Sequence, residues 1–106
     1  MTTESTLTAS IVREIVRCWP SCWYFKVHGS PYQRAGVPDL LLCVEGRFIG
    51  LEVKHPKPGE SEDHARSRAT VRQRKQISDI IAAGGYAAVV VSVEEAVAAV
   101  EQALRM

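Results

Sequence analysis

The chain lacks any long apolar run, and no stretch approaches the roughly 18 uninterrupted apolar residues of a membrane span. Its start, Met1-Thr2-Thr3-Glu4-Ser5, is too polar for a signal peptide. The reading is a soluble protein of the cytoplasm, with no membrane partner. Cysteine is scarce: Cys18, Cys22 and Cys43 are an odd number with no CxxC pair, which argues against a disulfide framework. Cys18, Cys22 and His28 are three zinc-type ligands without a fourth, so free thiols in a reducing compartment are the favoured reading. There are no internal repeats and no low-complexity segments. Net charge is small too, a formal +1, and does not by itself announce a nucleic-acid binder.

What the chain does have is 106 residues with 46% hydrophobic and 24% charged content, enough for one modest core in a single domain spanning 1–106. Its charge is unevenly spread. Between Lys54 and Lys75 stand seven basic residues against three acids, and the rest of the chain has six against nine. That cluster can be a solvated helix face or a surface for phosphates.

The most informative stretch runs Gly36-Val37-Pro38-Asp39, then apolar Leu40 to Val44, Glu45-Gly46, and Arg47 to Lys54. Gly46 can take the positive φ of a tight reversal, so Glu45-Gly46 reads as a two-residue hairpin turn. Counting back from it pairs Val44 with Arg47, Leu42 with Ile49, Leu40 with Leu51 and Asp39 with Glu52. Lys54, two residues beyond Glu52, projects from the same face. A turn longer by one residue would send Asp39 to the other face. Opposed carboxylates repel unless a cation lies between them, and hard oxygen ligands suit magnesium or manganese. Two acids and a lysine about one such metal make a phosphodiester-cleaving set. The bland alternative is an acid in a turn and two charges decorating a strand.

The flanking elements read as follows. Residues 3–19 form a helix on the recurrence of Leu7, Ile11, Ile15 and Trp19, widened by Val12 and Val16 and ended by Pro20. Glu4 falls in its first turn, where an acid also answers the helix dipole. Residues 22–28 form a strand with Trp23, Phe25 and Val27 on one face and Tyr24, Lys26 and His28 on the other. The loop 29–36 carries Ser30, Gln33 and Arg34, as phosphate contacts or as a plain connector. Residues 55–69, with Pro56, Pro58 and Gly59, read as a mobile loop outside the core, either a substrate flap or slack. Residues 70–83 form a helix opened by a capping box, Thr70 to Gln73. Gln73 also leads the inward series Ile77, Ile80, Ile81, so it is either a cap or a site residue, with Gln76 competing. Gly84-Gly85 ends that helix. Residues 86–91 read as a strand covered on both faces, and Ser92 opens a last helix to about Arg105.

The arrangement Gly36-Val37-Pro38-Asp39, an apolar run, a glycine turn and Glu52-Val53-Lys54 resembles the PD-(D/E)xK nuclease superfamily. With the Glu4-Ser5 start and Gln73 before Gly84-Gly85, the chain resembles, over nearly its whole length, the VRR-Nuc (virus-type replication-repair nuclease) family within it. The resemblance implies a restriction-endonuclease-like α/β core, a mixed sheet flanked by helices, hydrolysing DNA phosphodiesters with magnesium or manganese. It implies Asp39, Glu52 and the Val53 backbone carbonyl as metal ligands, Glu4 acting through water, Lys54 on the water or the transition state, and Gln73 positioning Lys54 or the water. DNA contacts are expected from Ser30, Arg34, His55, Lys57, Arg66, Arg68 and Arg72. Stand-alone members of the family are associated with homodimers that resolve four-way DNA junctions, in bacterial or phage-infected cells. With short ends leaving no room for a second DNA-binding module, this chain is expected to act likewise, and Trp19, Trp23 and the wide stripe of helix 3–19 are permissive for a dimer. A restriction-like or flap nuclease and a non-catalytic DNA-binding domain of the same fold are the rival readings.

Overall fold

In the computed structural model, which describes residues 3–106, the elements follow in the order α1 (Glu4–Cys18), β1 (Trp23–Lys26), β2 (Leu40–Val44), β3 (Arg47–Val53), α2 (Glu62–Ser67), α3 (Val71–Ala82), β4 (Tyr86–Val90) and α4 (Val93–Leu104). The four strands make one mixed sheet in the order β1-β2-β3-β4, antiparallel up to β3 and parallel between β3 and β4. Helices flank it, so the fold is α/β.

The sheet is organised by its hairpin. Glu45 and Gly46 both have positive φ, 49° and 81°, the conformation whose twist matches that of the strands it joins. The turn fixes the register: Val44 pairs with Arg47, Leu42 with Ile49 and Leu40 with Leu51. Alternation then sends Leu40, Leu42, Val44, Ile49, Leu51 and Val53 to one face, where all are buried with Leu7, Ile11 and Ile15 of α1 and Ala96, Val100 and Ala103 of α4. Each of the leucines, isoleucines and valines among them contributes about 1.5–3 kcal/mol by leaving water. The small residues of α4 let that helix lie close to α1 and β4, and it covers the α1 stripe: Val12 and Trp19 pack against the core rather than facing solvent. The stripe therefore offers no large free surface.

The opposite face is covered in part. Helix α3 lies over β3 and β4, with Ile80 at the sites where Gly50 and Gly85 have no side chain; a Cβ there would stand 3.2 and 3.0 Å from it. Towards β1 this face is open, and all four residues of the edge strand are exposed. Strand β4 is the other edge. Helices α3 and α4 pack on it, yet Tyr86, Ala88 and Val89 are only half-buried because its outer side has no neighbouring strand. Ile81, expected inward, is 45% exposed, because α3 meets the sheet along the narrower line of Ile77 and Ile80.

Residues 55–69 differ most from expectation. They are ordered around α2, capped by the Ser61 hydroxyl, which accepts from the His64 N–H. Ala65 is fully buried and Ala69 nearly so. Two alanines give a weak apolar signal in a charged run, but they are what allows the segment to lie flat on the body of the protein.

Gly36 joins the loop before β2 to the start of α3. Its φ is 82°, and a Cβ would stand 2.5 Å from the Arg72 carbonyl oxygen. Gly36→Ala combines left-handed backbone strain with a clash against main chain, so a loss of about 2 kcal/mol or more is expected. Urea unfolding measures it; a variant as stable as the parent would show that loop and helix separate freely.

Candidate active site

Asp39 stands at the mouth of β2. Its carbonyl accepts from the Val27 N–H at 2.8 Å, extending the β1–β2 ladder by one step, and its Oδ2 accepts from the Val53 N–H at 2.9 Å. The register, which ends at Leu40 with Leu51, and the Val53 bond bring its carboxyl beside Glu52, on the sheet face that α3 partly covers. Glu52 is 2% exposed, the one charged side chain among the buried described residues. Its Oε2 accepts from Gln73 Nε2 at 3.0 Å and lies 3.6 Å from Lys54 Nζ. Its Oε1 has no hydrogen-bond partner among the described residues.

A buried carboxylate beside another acid is costly to ionise. Burial is the main reason the Glu52 carboxyl is pushed up to about 8, the neighbouring Asp39 carboxyl adds to the rise, and Lys54 opposes it. Gln73 does two things at once. Its Oε1 accepts from the Thr70 N–H at 2.8 Å, completing a reciprocal capping box, while its Nε2 donates to Glu52. The two sequence readings of Gln73 are compatible because an amide has an acceptor end and a donor end. It reaches Glu52 rather than Lys54, and Gln76 makes no such contact.

Glu4, in the first turn of α1, lines a cavity of about 230 Å³ together with Asp39, Lys26 and His28. Its Oε1 is 3.6 Å from Arg68 Nη1. Glu14, deeper in the helix, is paired with Arg17. Of the basic residues expected at a DNA surface, Arg34 and Arg72 line a cavity of about 380 Å³ with Ser30, Gln33, Gln73 and Asp39. His55 and Lys57 line a third, of about 700 Å³, with Glu4 and Arg68.

Arg66 and Arg68 are otherwise engaged. Arg66 binds Glu95 with both ends of its guanidinium and Asp63 at 2.6 Å. Arg68 binds Glu60 at 2.9 and 3.0 Å and the His55 carbonyl at 2.7 Å. These pairs tie α2 to α4 and to the strand exit after Lys54. Composition alone makes both arginines look available. In sequence Lys26 and His28 are plain strand residues, yet they share a cavity with Asp39. Alternation along residues 22–28 is visible in the sequence, but that the strand's last residues arrive at Asp39 depends on β1–β2 pairing, for which there is no local signal.

Among the described residues, no three His, Cys, Asp or Glu side chains form a metal-holding group. A cation held by Asp39 and Glu52 would thus have two carboxylates. That number fits magnesium or manganese, which keep several waters and share substrate phosphates, and falls short of a closed zinc site. The unpartnered Glu52 Oε1 and the mutual repulsion of the acids are what such a cation would relieve. No helix among the described residues is long and apolar enough to cross a membrane.

No protein-family model matches the chain, and no curated protein does. Solved structures match it well. One described as "VRR_NUC domain protein" aligns with a TM-score of 0.70 at 16% identity, over 98% of this chain and 89% of its own. Another, described as "VRR_NUC domain", aligns with a TM-score of 0.63 at 20% identity, over 94% of this chain and 97% of its own. The α/β architecture of this chain, a mixed four-stranded sheet with flanking helices, is therefore the VRR-Nuc fold.

Proposed function

We propose that this protein is a VRR-Nuc endodeoxyribonuclease that hydrolyses DNA phosphodiester bonds with magnesium or manganese. The observation that carries the reading is Glu52: a buried carboxylate facing Asp39, with one oxygen held by Gln73 and Lys54 and the other without a partner. A fold that retains such an acid at the cost of its desolvation has a use for it beyond stability.

In this account Asp39, Glu52 and the Val53 carbonyl hold the metal, with Glu4 acting through water from across the shared cavity. Bound there, the metal supplies positive charge to the phosphate and acidifies a water. Lys54 presents its ammonium to the phosphate and steadies the charge that builds as the bond breaks. Gln73 keeps the Glu52 carboxylate in one orientation, and the capping box keeps Gln73 in place.

A homodimer acting on four-way junctions is the favoured form. Two sites related by a twofold axis match a substrate with approximate twofold symmetry and cut corresponding strands. Support comes from the open edge: Trp23 and Phe25, 55% and 53% exposed, stack with centroids 6.4 Å apart on a strand with no outer partner among the described residues. Exposed aromatics of this kind suit an interface core. Light scattering at micromolar concentration should give twice the monomer mass, and four-way junctions should be cut in preference to linear duplex. A monomer that cuts both equally removes the junction assignment and leaves a plain nuclease; cleavage that persists in excess chelator removes the metal.

A further inference from the structure

Of the thirteen lysines and arginines, nine have a partner among the described residues: a carboxylate, a carbonyl, a hydroxyl or an amide oxygen. The remaining four, Lys26, Arg34, Lys57 and Arg72, have neither a side-chain hydrogen bond nor an ion pair there, and all four are exposed. They are not scattered. Arg34 and Arg72 line the cavity that ends at Asp39. Lys26 lines the next, which runs from Asp39 to Glu4. Lys57 lines the third, which shares Glu4 with the second.

The three cavities are thus joined in sequence by two acids, and each carries at least one cation without a partner among the described residues. The other cations of this protein each hold a carboxylate, as in Arg17–Glu14 and Lys75–Asp79, or a carbonyl, hydroxyl or amide oxygen, as Arg74 and Arg105 do. Leaving four of like sign unpaired around an acid pair gains no stability, and it creates a positive track interrupted only where a metal would neutralise the carboxylates.

We infer that Lys26, Arg34, Lys57 and Arg72 are the phosphate-binding footprint of the protein, and that one DNA strand lies along the three cavities with its reacting phosphate at Asp39. The footprint rests on the nuclease reading and goes beyond it in two ways. It moves the DNA contacts away from Arg66 and Arg68, whose charges are already answered, and it adds Lys26. It is also lopsided: one cavity, with Arg34 and Arg72, lies on one side of Asp39, and two, with Lys26 and then Lys57, lie on the other. The strand is held over a shorter length on the Arg34 side of the cut.

The test is DNA binding in chelator, where no cleavage occurs, by anisotropy of a labelled four-way junction across about 50–200 mM salt. The quadruple variant Lys26→Gln, Arg34→Gln, Lys57→Gln, Arg72→Gln should reduce the slope of log K against log salt by about 0.9 for each duplex phosphate it ceases to neutralise, some 3–4 in all. Lys75→Gln, which removes one paired charge, should leave the slope within about 0.5 of the parent. All four positions are exposed, so melting temperature should hold. A folded quadruple variant with an unchanged slope overturns the footprint while parent cleavage keeps the nuclease reading intact. A parent that neither binds nor cuts overturns the nuclease reading, and the footprint with it.

Discussion

Lys54→Ala should lower phosphodiester cleavage by about two to three orders of magnitude, the usual loss when one preorganised donor to a developing charge is removed. Folding and DNA affinity should change little. Lys54 makes one contact in the site, with Glu52 at 3.6 Å, and it is not among the cations that lack a partner. Without Lys54 the Glu52 carboxyl loses the group that favours its ionised form, so in the absence of metal it takes up a proton more readily and no bare charge is stranded. The expected signature is therefore a fall in kcat with KM for DNA nearly unchanged, as for a group that acts on the transition state. Single-turnover cleavage of a labelled junction measures it. A variant that cuts at the parental rate would remove Lys54 from the chemistry and leave it as a counter-ion for Glu52.

Glu52→Gln should abolish cleavage and at the same time stabilise the metal-free protein at alkaline pH. The carboxyl of Glu52 is raised from an ordinary 4.5 to about 8, chiefly by burial and then by Asp39. A carboxyl that holds its proton more tightly in the folded state than in the unfolded one favours folding at low pH. Between about 4.5 and 8 the folded protein binds more protons than the unfolded chain, so stability falls as pH rises through that window. In chelator the parent should therefore melt progressively lower from pH 5 to pH 8, by about 10 °C, on the order of 2 kcal/mol after allowance for coupling to Asp39. The glutamine is near in shape, does not titrate, and can donate to Asp39, so the variant should lack this slope. Glu60, held near 2 by Arg68, acts in the opposite sense but only below pH 4.5, outside the window. Magnesium or manganese should raise the melting temperature of the parent at pH 8 and not that of the variant, because a ligand stabilises only the state that binds it. A parent whose stability is flat or rising from pH 5 to 8 would show that Glu52 is solvated well enough to ionise freely.

What could be read from the residues in order was whatever depends on near neighbours. Glu45-Gly46 determines the hairpin, because a two-residue turn leaves one register open and every pair from Val44–Arg47 back to Leu40–Leu51 follows by counting. The helix caps at Thr70 and Ser92 act on backbone groups two or three residues away and were equally plain. So was the face on which Lys54 follows Glu52.

Contacts between distant segments were not legible. Arg66 meets Glu95 across 29 residues, and Arg68 meets Glu60 after the chain has doubled back, so a run of positive charge in the sequence became a set of internal ties. The segment 55–69 reads in sequence as a mobile loop, flap or slack, because its apolar anchors are two alanines, whose burial depends on the body they lie against. The apolar stripe of α1 could not reveal that α4 would cover it. Which four cations remain without partners, and that they surround Asp39 and Glu4, is likewise a property of the packed molecule. A charge is free only once every acid has been placed, and the fold alone places them.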